Sequence, residues 1–252
     1  MSESQSEESA NLDRRLAALF PPLRKHVFYL VNWAVKQRLI YVETPKVGCT
    51  LIKRVMQFAE CGFDEDALPE DVHDRRTSPL RSPKDDLASF LAELDSDACL
   101  TFSFVRNPFS RFLSAYLDKI VGDPEVITDR QKRLGIGPGP ERPSFDELVE
   151  FVYDQPRLDM DVHWAPQSFL LGWPRVRYGF LGRFERLSED LEMLMASRGL
   201  RYPAGARRLG VRHATGADAK LAAYFSEPTR RRVVEIYGDD FSHFDYPTTL
   251  PS

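Results

Sequence analysis

Two short stretches hold the residues best suited to chemistry in this 252-residue chain. In the first, Leu39-Ile-Tyr-Val-Glu-Thr-Pro-Lys-Val-Gly-Cys-Thr-Leu-Ile-Lys53, a β-type run stops at Pro45 and a small polar loop follows. Leu51, Ile52, Val55, Met56 and Ala59 then recur at helical spacing. Strand, tight loop and helix together aim backbone N–H groups and a helix N-terminus at an anion. Lys46 adds a mobile positive charge in the loop itself. In the second stretch, Cys99-Leu-Thr-Phe-Ser-Phe-Val105 runs directly into Arg106-Asn107-Pro108 and a further helical pattern. Ligands of open α/β sheets bind outside the carboxyl ends of the strands, where Arg106 falls. Ser110 and Ser114 share one face of the helix that follows. An arginine at a strand end and a serine a turn or two later can hold one phosphate from two sides. The plain alternatives are a βα turn with a surface lysine, and an Arg106 that pairs with a carboxylate above a tolerated small Ser114.

The first loop is not a nucleoside triphosphatase loop. Gly-x-x-x-x-Gly-Lys-Ser/Thr is missing: there is one glycine, and Lys46 precedes it. No acidic strand end is evident for magnesium. The expectation is an anion cradle that works without a metal.

The elements that position these residues follow from periodicity. Leu39–Val42 and Cys99–Val105 read as strands, the second buried on both faces. Helices are expected at 51–60, around 87–94 and at 109–120, and Val176–Phe180 as a third strand. Two strand–turn–helix units with a helix between them imply parallel pairing through crossovers. Ser144 with Glu147 forms a capping-box pattern ahead of Phe145, Leu148, Val149 and Val152. Ser188 opens a helix that Gly199 ends, and helical pieces at 217–226 and 228–238 are split at Pro228. Leu12, Leu16, Leu19 and Phe20 give a short helix stopped by Pro21-Pro22. Residues 1–11 are too polar to pack and are expected to form a disordered tail. The Gly- and Pro-rich 121–143 insertion reads as a surface loop near the site.

Composition narrows the class. Hydrophobic content of 42% and charged content of 29% are ordinary for a globular protein, and a net charge of −4 gives no general attraction to nucleic acid. No apolar stretch reaches transmembrane length. Cys49, Cys61 and Cys99 are an odd number without metal-ligand spacing, so free thiols and a cytoplasmic setting are expected.

Thr44-Pro-Lys-Val-Gly-Cys-Thr-Leu-Ile-Lys53 resembles the 5′-phosphosulfate loop of the carbohydrate sulfotransferases, most nearly the group containing the chondroitin and dermatan 4-O-sulfotransferases. Phe104-Val-Arg-Asn-Pro-Phe-Ser-Arg-Phe-Leu-Ser-Ala-Tyr-Leu-Asp-Lys119 resembles that family's 3′-phosphate motif. Weaker likeness continues through His163-Trp164, Pro166, Tyr178, Gly182-Arg-Phe-Glu185, Asp190 and Tyr237–Tyr246. The resemblance implies an α/β fold with a P-loop-like central parallel β-sheet flanked by helices, here a single domain over 12–252. It also implies transfer of a sulfuryl group from 3′-phosphoadenosine 5′-phosphosulfate (PAPS) to a hydroxyl, in the first instance of a saccharide or glycoconjugate, without a metal. Lys46 would then meet charge on the bridging oxygen. Val47, Gly48, Cys49, Thr50 and Leu51, with the Thr50 hydroxyl, would hold the 5′-phosphate, and Lys53 would contact the donor or the helix face. Arg106 and Ser114 would hold the 3′-phosphate.

A hydroxyl acceptor calls for a general base. His73, lying between the two phosphate motifs, is the first candidate, then His163 of the His-Trp segment, with Glu43 third. His26 and His243 have structural contexts, and His213 lies in a basic loop. Two departures stand out: Asn107 replaces the usual acidic residue, and Leu171 and Pro174 stand where the family's Golgi members carry a cysteine pair. The Arg75-Arg76 and Arg207-Arg208 pairs could line an acidic acceptor, or be solvated surface. The rival functions are a P-loop-type small-molecule kinase, which needs magnesium, and a non-catalytic nucleotide-binding module.

Overall fold

The computed structural model describes residues 3–22, 24–122, 142–203 and 216–251. In chain order these form α1 (Glu3–Leu19), α2 (Arg24–Leu30), β1 (Val31–Ala34), β2 (Leu39–Val42), α3 (Cys49–Glu60), α4 (Leu87–Leu94), β3 (Leu100–Val105) and α5 (Pro108–Tyr116). Then come α6 (Phe145–Tyr153), β4 (Phe180–Arg183), α7 (Leu187–Ser197), α8 (Leu221–Tyr224), α9 (Glu227–Ile236) and α10 (Gly238–His243), with a short helical turn at Gln167–Leu170. Contacts group the chain into two compact units, Met1–Val105 with Phe169–Arg212 and Arg106–Ser168 with His213–Ser252. The 123–141 part of the insertion and the 204–215 stretch, with His213 and Arg207-Arg208, lie outside the described residues.

The first unit holds a four-stranded sheet in the order β1-β2-β3-β4. β2 pairs parallel with β3, from Leu39 opposite Leu100 to Tyr41 opposite Phe102. β3 pairs parallel with β4, from Phe102 opposite Phe180 to Val105 opposite Arg183. Every residue of β2 is buried, and so is β3 from Thr101 on, which is why both read as unbroken apolar runs. Tyr41 and Phe102 stack across the pair with ring centroids 5.3 Å apart. Beneath them pack Leu51, Ile52, Val55 and Met56 of α3 and Leu191, Leu194 and Met195 of α7, in one apolar cluster.

Three features differ from expectation. The sheet is mixed, because β1 runs antiparallel to β2, Val31 opposite Val42. Only four residues separate these strands, too few for a crossover, and Arg38 closes the turn at φ 53. Asn32 at a buried position hid this strand from a reading by apolar pattern. The third strand is Phe180–Arg183 rather than Val176–Phe180. The backbone N–H groups of Arg175 and Val176 turn back to the Gly172 carbonyl, and ladder pairing starts only where Gly179 N–H donates to Thr101 O. Finally, α1 is helical from Glu3, within the stretch expected as a tail. Extending an existing helix costs far less than nucleating one, so the Leu16- and Phe20-anchored helix continues into polar sequence.

The second unit is helical, with an aromatic core. Phe112 and Tyr116 of α5 meet Phe145 of α6 edge to face at 5.5 and 5.2 Å. Phe109 packs against Phe225 and Phe241. The Ser144 capping box is formed: Glu147 N–H donates to Ser144 Oγ at 3.2 Å and Ser144 N–H to Glu147 Oε2 at 2.7 Å. Pro228 lies in the first turn of α9, where a missing N–H costs nothing, and Ser226 caps it.

Gly182 of β4 lies against the Phe104 ring; a Cβ there would meet Phe104 Cε1 at 2.2 Å. Gly182→Ala is expected to lower stability by about 1–3 kcal/mol, read as a lower urea midpoint with an unchanged m-value, as overpacking of a filled site does.

Candidate anion-binding site

In the first unit, β2 ends at Val42 and the loop 43–48 delivers the chain to the start of α3. Thr44 Oγ1 donates to Phe104 O at 2.8 Å, and Ser103 Oγ donates to Val42 O at 2.7 Å, so the loop is bolted to the end of β3. Lys46 has φ 74, a left-handed backbone that a lysine adopts only under constraint from its surroundings. Gly48 is the N-cap of α3 at φ 82 and supplies no side-chain cap. The first-turn amides of α3 are therefore presented rather than consumed by a capping side chain. Lys46, Gly48 and Thr50 are half-buried, whereas Val47, Cys49 and Leu51 turn into the core. Val47 and Cys49 can offer an anion only their backbone, whereas the Leu51 N–H, expected to face the phosphate, already donates to Gly48 O at 3.0 Å. Burial pushes the Cys49 thiol up to about 12, and its S–H donates to Thr44 O at 3.2 Å; Cys49 is a neutral strut of the loop.

Lys53 does not face outward as a donor contact. It is 5% exposed and its Nζ lies 3.0 Å from Glu43 Oε2, itself 4% exposed, and 2.8 Å from His73 Nδ1. Asn32 Nδ2 also reaches Glu43 at 3.5 Å. His73 Nε2 lies 3.1 Å from Thr50 Oγ1. So Glu43, Lys53, His73 and Thr50 form one chain of contacts that runs from the buried Glu43 to the exposed His73. Glu43 is thereby committed to a buried ion pair. The neighbouring arginine pair is split: Arg75 turns inward to Tyr29 O and Val31 O, and Arg76 is exposed and pairs with Asp74.

In the second unit, Arg106 opens the turn before α5. Its guanidinium is 5% exposed and Nη2 donates to Asp218 Oδ2 at 2.7 Å; Asp218 itself is 59% exposed. The carboxylate partner of the plain alternative is thus present, but it lies on the outside, where an incoming anion can compete with it. The backbone of Arg106 is held by Gln167, whose Oε1 accepts its N–H and whose Nε2 donates to its carbonyl, both at 2.9 Å. Gln167 N–H in turn donates to buried Asp240 at 2.7 Å. Asn107 caps α5, accepting from Phe109 N–H at 3.0 Å and from Ser110 N–H. An amide oxygen performs this capping as a carboxylate would, so the departure from the family pattern leaves the helix start intact. Ser114 is buried on the α5 face it shares with Ser110. The Ser110 hydroxyl is fully buried and has no hydrogen-bond partner among the described residues.

His163 belongs to the second unit as well. Its Nδ1 is 2.5 Å from Asp161 Oδ1, which also accepts the His163 N–H at 2.9 Å. Burial works to raise the Asp161 carboxyl, but the His163 hydrogen bond and charge outweigh it and hold Asp161 below the ordinary carboxylate range. Arg111, 1% exposed, pins this segment from below by donating to Ala165 O and Val162 O. Tyr237 OH donates to Trp164 O at 2.5 Å. Gln167, Tyr237 and Asp240 were not singled out as site residues in sequence; their signal lay in the weaker likeness around Pro166 and Tyr237–Tyr246, whereas Arg111 lies within the 3′-phosphate motif itself. His26 is half-buried on α2 and His243 exposed on α10. Among the described residues no group of three or more His, Cys, Asp or Glu is arranged to hold a metal ion, and no helix is long and apolar enough to cross a membrane.

Parallel strands whose carboxyl ends run into a lysine loop at one helix start and an Arg-Asn-Pro turn at another define an α/β protein, and such strand ends and helix starts are where α/β proteins commonly bind anions. The chain belongs to the Sulfotransferase family, whose model matches residues 31–247. It is 31% identical over 237 residues to carbohydrate sulfotransferase 14 of Homo sapiens, covering 84% of this chain and 58% of the relative. It is 27% identical over 261 residues to carbohydrate sulfotransferase 10 of Danio rerio, covering 89% and 68%. With carbohydrate sulfotransferase 8 of Homo sapiens it shares 29% over 238 residues, 84% and 54%. The chain thus spans a little over half the length of several curated relatives it matches. No solved structure matches it.

The Glu43–Lys53 pair makes a stability prediction. Lys53→Met should cost about 3–5 kcal/mol, because it strands a buried carboxylate. The double variant Glu43→Gln/Lys53→Met should cost clearly less than the sum of the two single changes, measured by chemical denaturation.

Proposed function

We propose that this protein is a sulfotransferase that moves a sulfuryl group from PAPS to a carbohydrate hydroxyl. The observation that carries the reading is the presence of both phosphate motifs on strand–turn–helix geometry, inside a family match that runs nearly the length of the chain. The loop Lys46–Thr50 takes the 5′-phosphosulfate end, through its backbone N–H groups and the Thr50 hydroxyl. Arg106 and Ser114 take the 3′-phosphate, with the buried Ser110 hydroxyl as a further donor. In the reaction an acceptor oxygen forms a bond to sulfur while the bond from sulfur to the bridging oxygen breaks. Adenosine 3′,5′-bisphosphate leaves with the electron pair. Charge grows on the bridging oxygen, and Lys46 is the residue assigned to meet it; removing one such donor typically costs about 3–4 kcal/mol of barrier.

The acceptor's proton goes to His163. The Asp161 contact supports this role: Nδ1–H donates to the carboxylate, which leaves Nε2 as the ring position that takes a proton and stabilises the imidazolium that results. The names of the relatives support a carbohydrate acceptor. Three free thiols, two of them buried, support a reducing, cytoplasmic setting.

Adenosine 3′,5′-bisphosphate at about 100 times its dissociation constant should stabilise the protein by about 2.7 kcal/mol in thermal melts. Stabilisation by ATP-magnesium with none by the bisphosphate would instead select a kinase. Tight bisphosphate binding with no transfer to any of a panel of glycans would select a non-catalytic module.

The variants divide the roles. Lys46→Ala should lose about 10²–10³ in kcat and keep bisphosphate affinity within a few-fold. Arg106→Ala should lose affinity first. His163→Ala should keep the affinity and lose turnover; full turnover in that variant would remove His163 from the reaction.

A further inference from the structure

We infer that His73 is a positioning residue of the donor loop, not the base that deprotonates the acceptor. The argument rests on the reading of Lys46–Thr50 as the cradle for the donor's 5′ end, and it begins at Glu43. That buried carboxylate and Lys53 Nζ, 3.0 Å apart, form an ion pair in which Lys53 is an ammonium. An ammonium donates hydrogen bonds and accepts none. His73 Nδ1, 2.8 Å from Lys53 Nζ, is therefore the acceptor and carries a lone pair. The ring is then neutral with its proton on Nε2, and that N–H points at Thr50 Oγ1, 3.1 Å away.

Two consequences follow for chemistry. A proton accepted by His73 would have to enter at Nδ1, directly against a positive charge, so this ring is poorly suited to take one from an acceptor. The Thr50 hydroxyl, in turn, spends a lone pair on His73. Its own O–H is turned away from the ring and becomes a donor for an anion seated at the start of α3. The path Glu43–Lys53–His73–Thr50 thus converts a buried carboxylate into a correctly aimed hydroxyl on the loop. His73 acts on the donor through Thr50.

The test is a double-mutant cycle read by calorimetric binding of adenosine 3′,5′-bisphosphate. His73→Ala should weaken binding by about tenfold. Thr50→Val should weaken it at least as much, and His73→Ala added to Thr50→Val should cause no further loss. His73→Gln should recover most of the affinity, because an amide offers Lys53 an acceptor and Thr50 a donor from one planar group. It should also recover turnover, although an amide is no base. Long-range proton–nitrogen correlation spectra of His73 should show the Nε2–H tautomer at pH 7.

Wild-type affinity in His73→Ala, strictly additive losses in the double variant, or an Nδ1–H tautomer would each overturn the inference. So would a His73→Gln variant that binds normally and turns over no faster than His73→Ala; that result would restore His73 as the base. A wild-type protein that does not bind the bisphosphate at all would sink the functional reading itself, which is a different outcome from any of these.

Discussion

Two strands can pair in parallel only if the chain between them crosses back over the sheet, and that requirement organises this protein. β2 and β3 are such a pair. Each leaves its carboxyl end into a turn and then a helix, so the chain is obliged to place helix N-termini after both strands. Backbone N–H groups at those helix starts have no partners within their own helices and attract negative charge. Thr44 and Ser103 lock the two strand ends together through side-chain bonds to Phe104 O and Val42 O. The lysine loop and the Arg106 turn are elaborations of that one arrangement.

Around it the protein keeps charge buried at real cost. Glu43 with Lys53 is a buried ion pair, whose attraction is largely offset by desolvation, and Asp240 beneath Gln167 accepts the backbone N–H groups of Gln167 and Ser168. What such networks provide is aim. The Gln167 amide holds both backbone groups of Arg106, which fixes where its guanidinium starts. Lys53 fixes the tautomer of His73. Arg111 and Tyr237 hold the segment that carries Asp161 and His163. In each case a buried residue determines the orientation of a neighbour assigned a role at the site.

The elements that were legible in sequence were those whose neighbours agreed with their local pattern. β3 read as a buried strand because its apolar run is continuous. α6 read from Ser144 and Glu147, and α4 was placed within its true bounds. The failures share a cause. β1 was missed because Asn32 is buried by partners distant in sequence, and β4 was misplaced because Gly182 is shaped to the Phe104 ring rather than to any strand propensity. The mixed sheet was misjudged with β1, since an unseen strand cannot be given a direction.

The sequence by itself determined the two anion motifs, their order and the α/β class, because loop glycine, lysine, arginine and helix-start serine act through local backbone geometry that a short stretch specifies. Only the tertiary structure decided what the titratable side chains do. His73 and His163 were both candidates for the base in sequence, one between the two phosphate motifs and the other in the His-Trp segment. One is set against an ammonium and the other against a carboxylate. The proton affinity of an imidazole depends on the sign of the charge a few ångströms away, and that charge comes from contacts the linear pattern does not disclose.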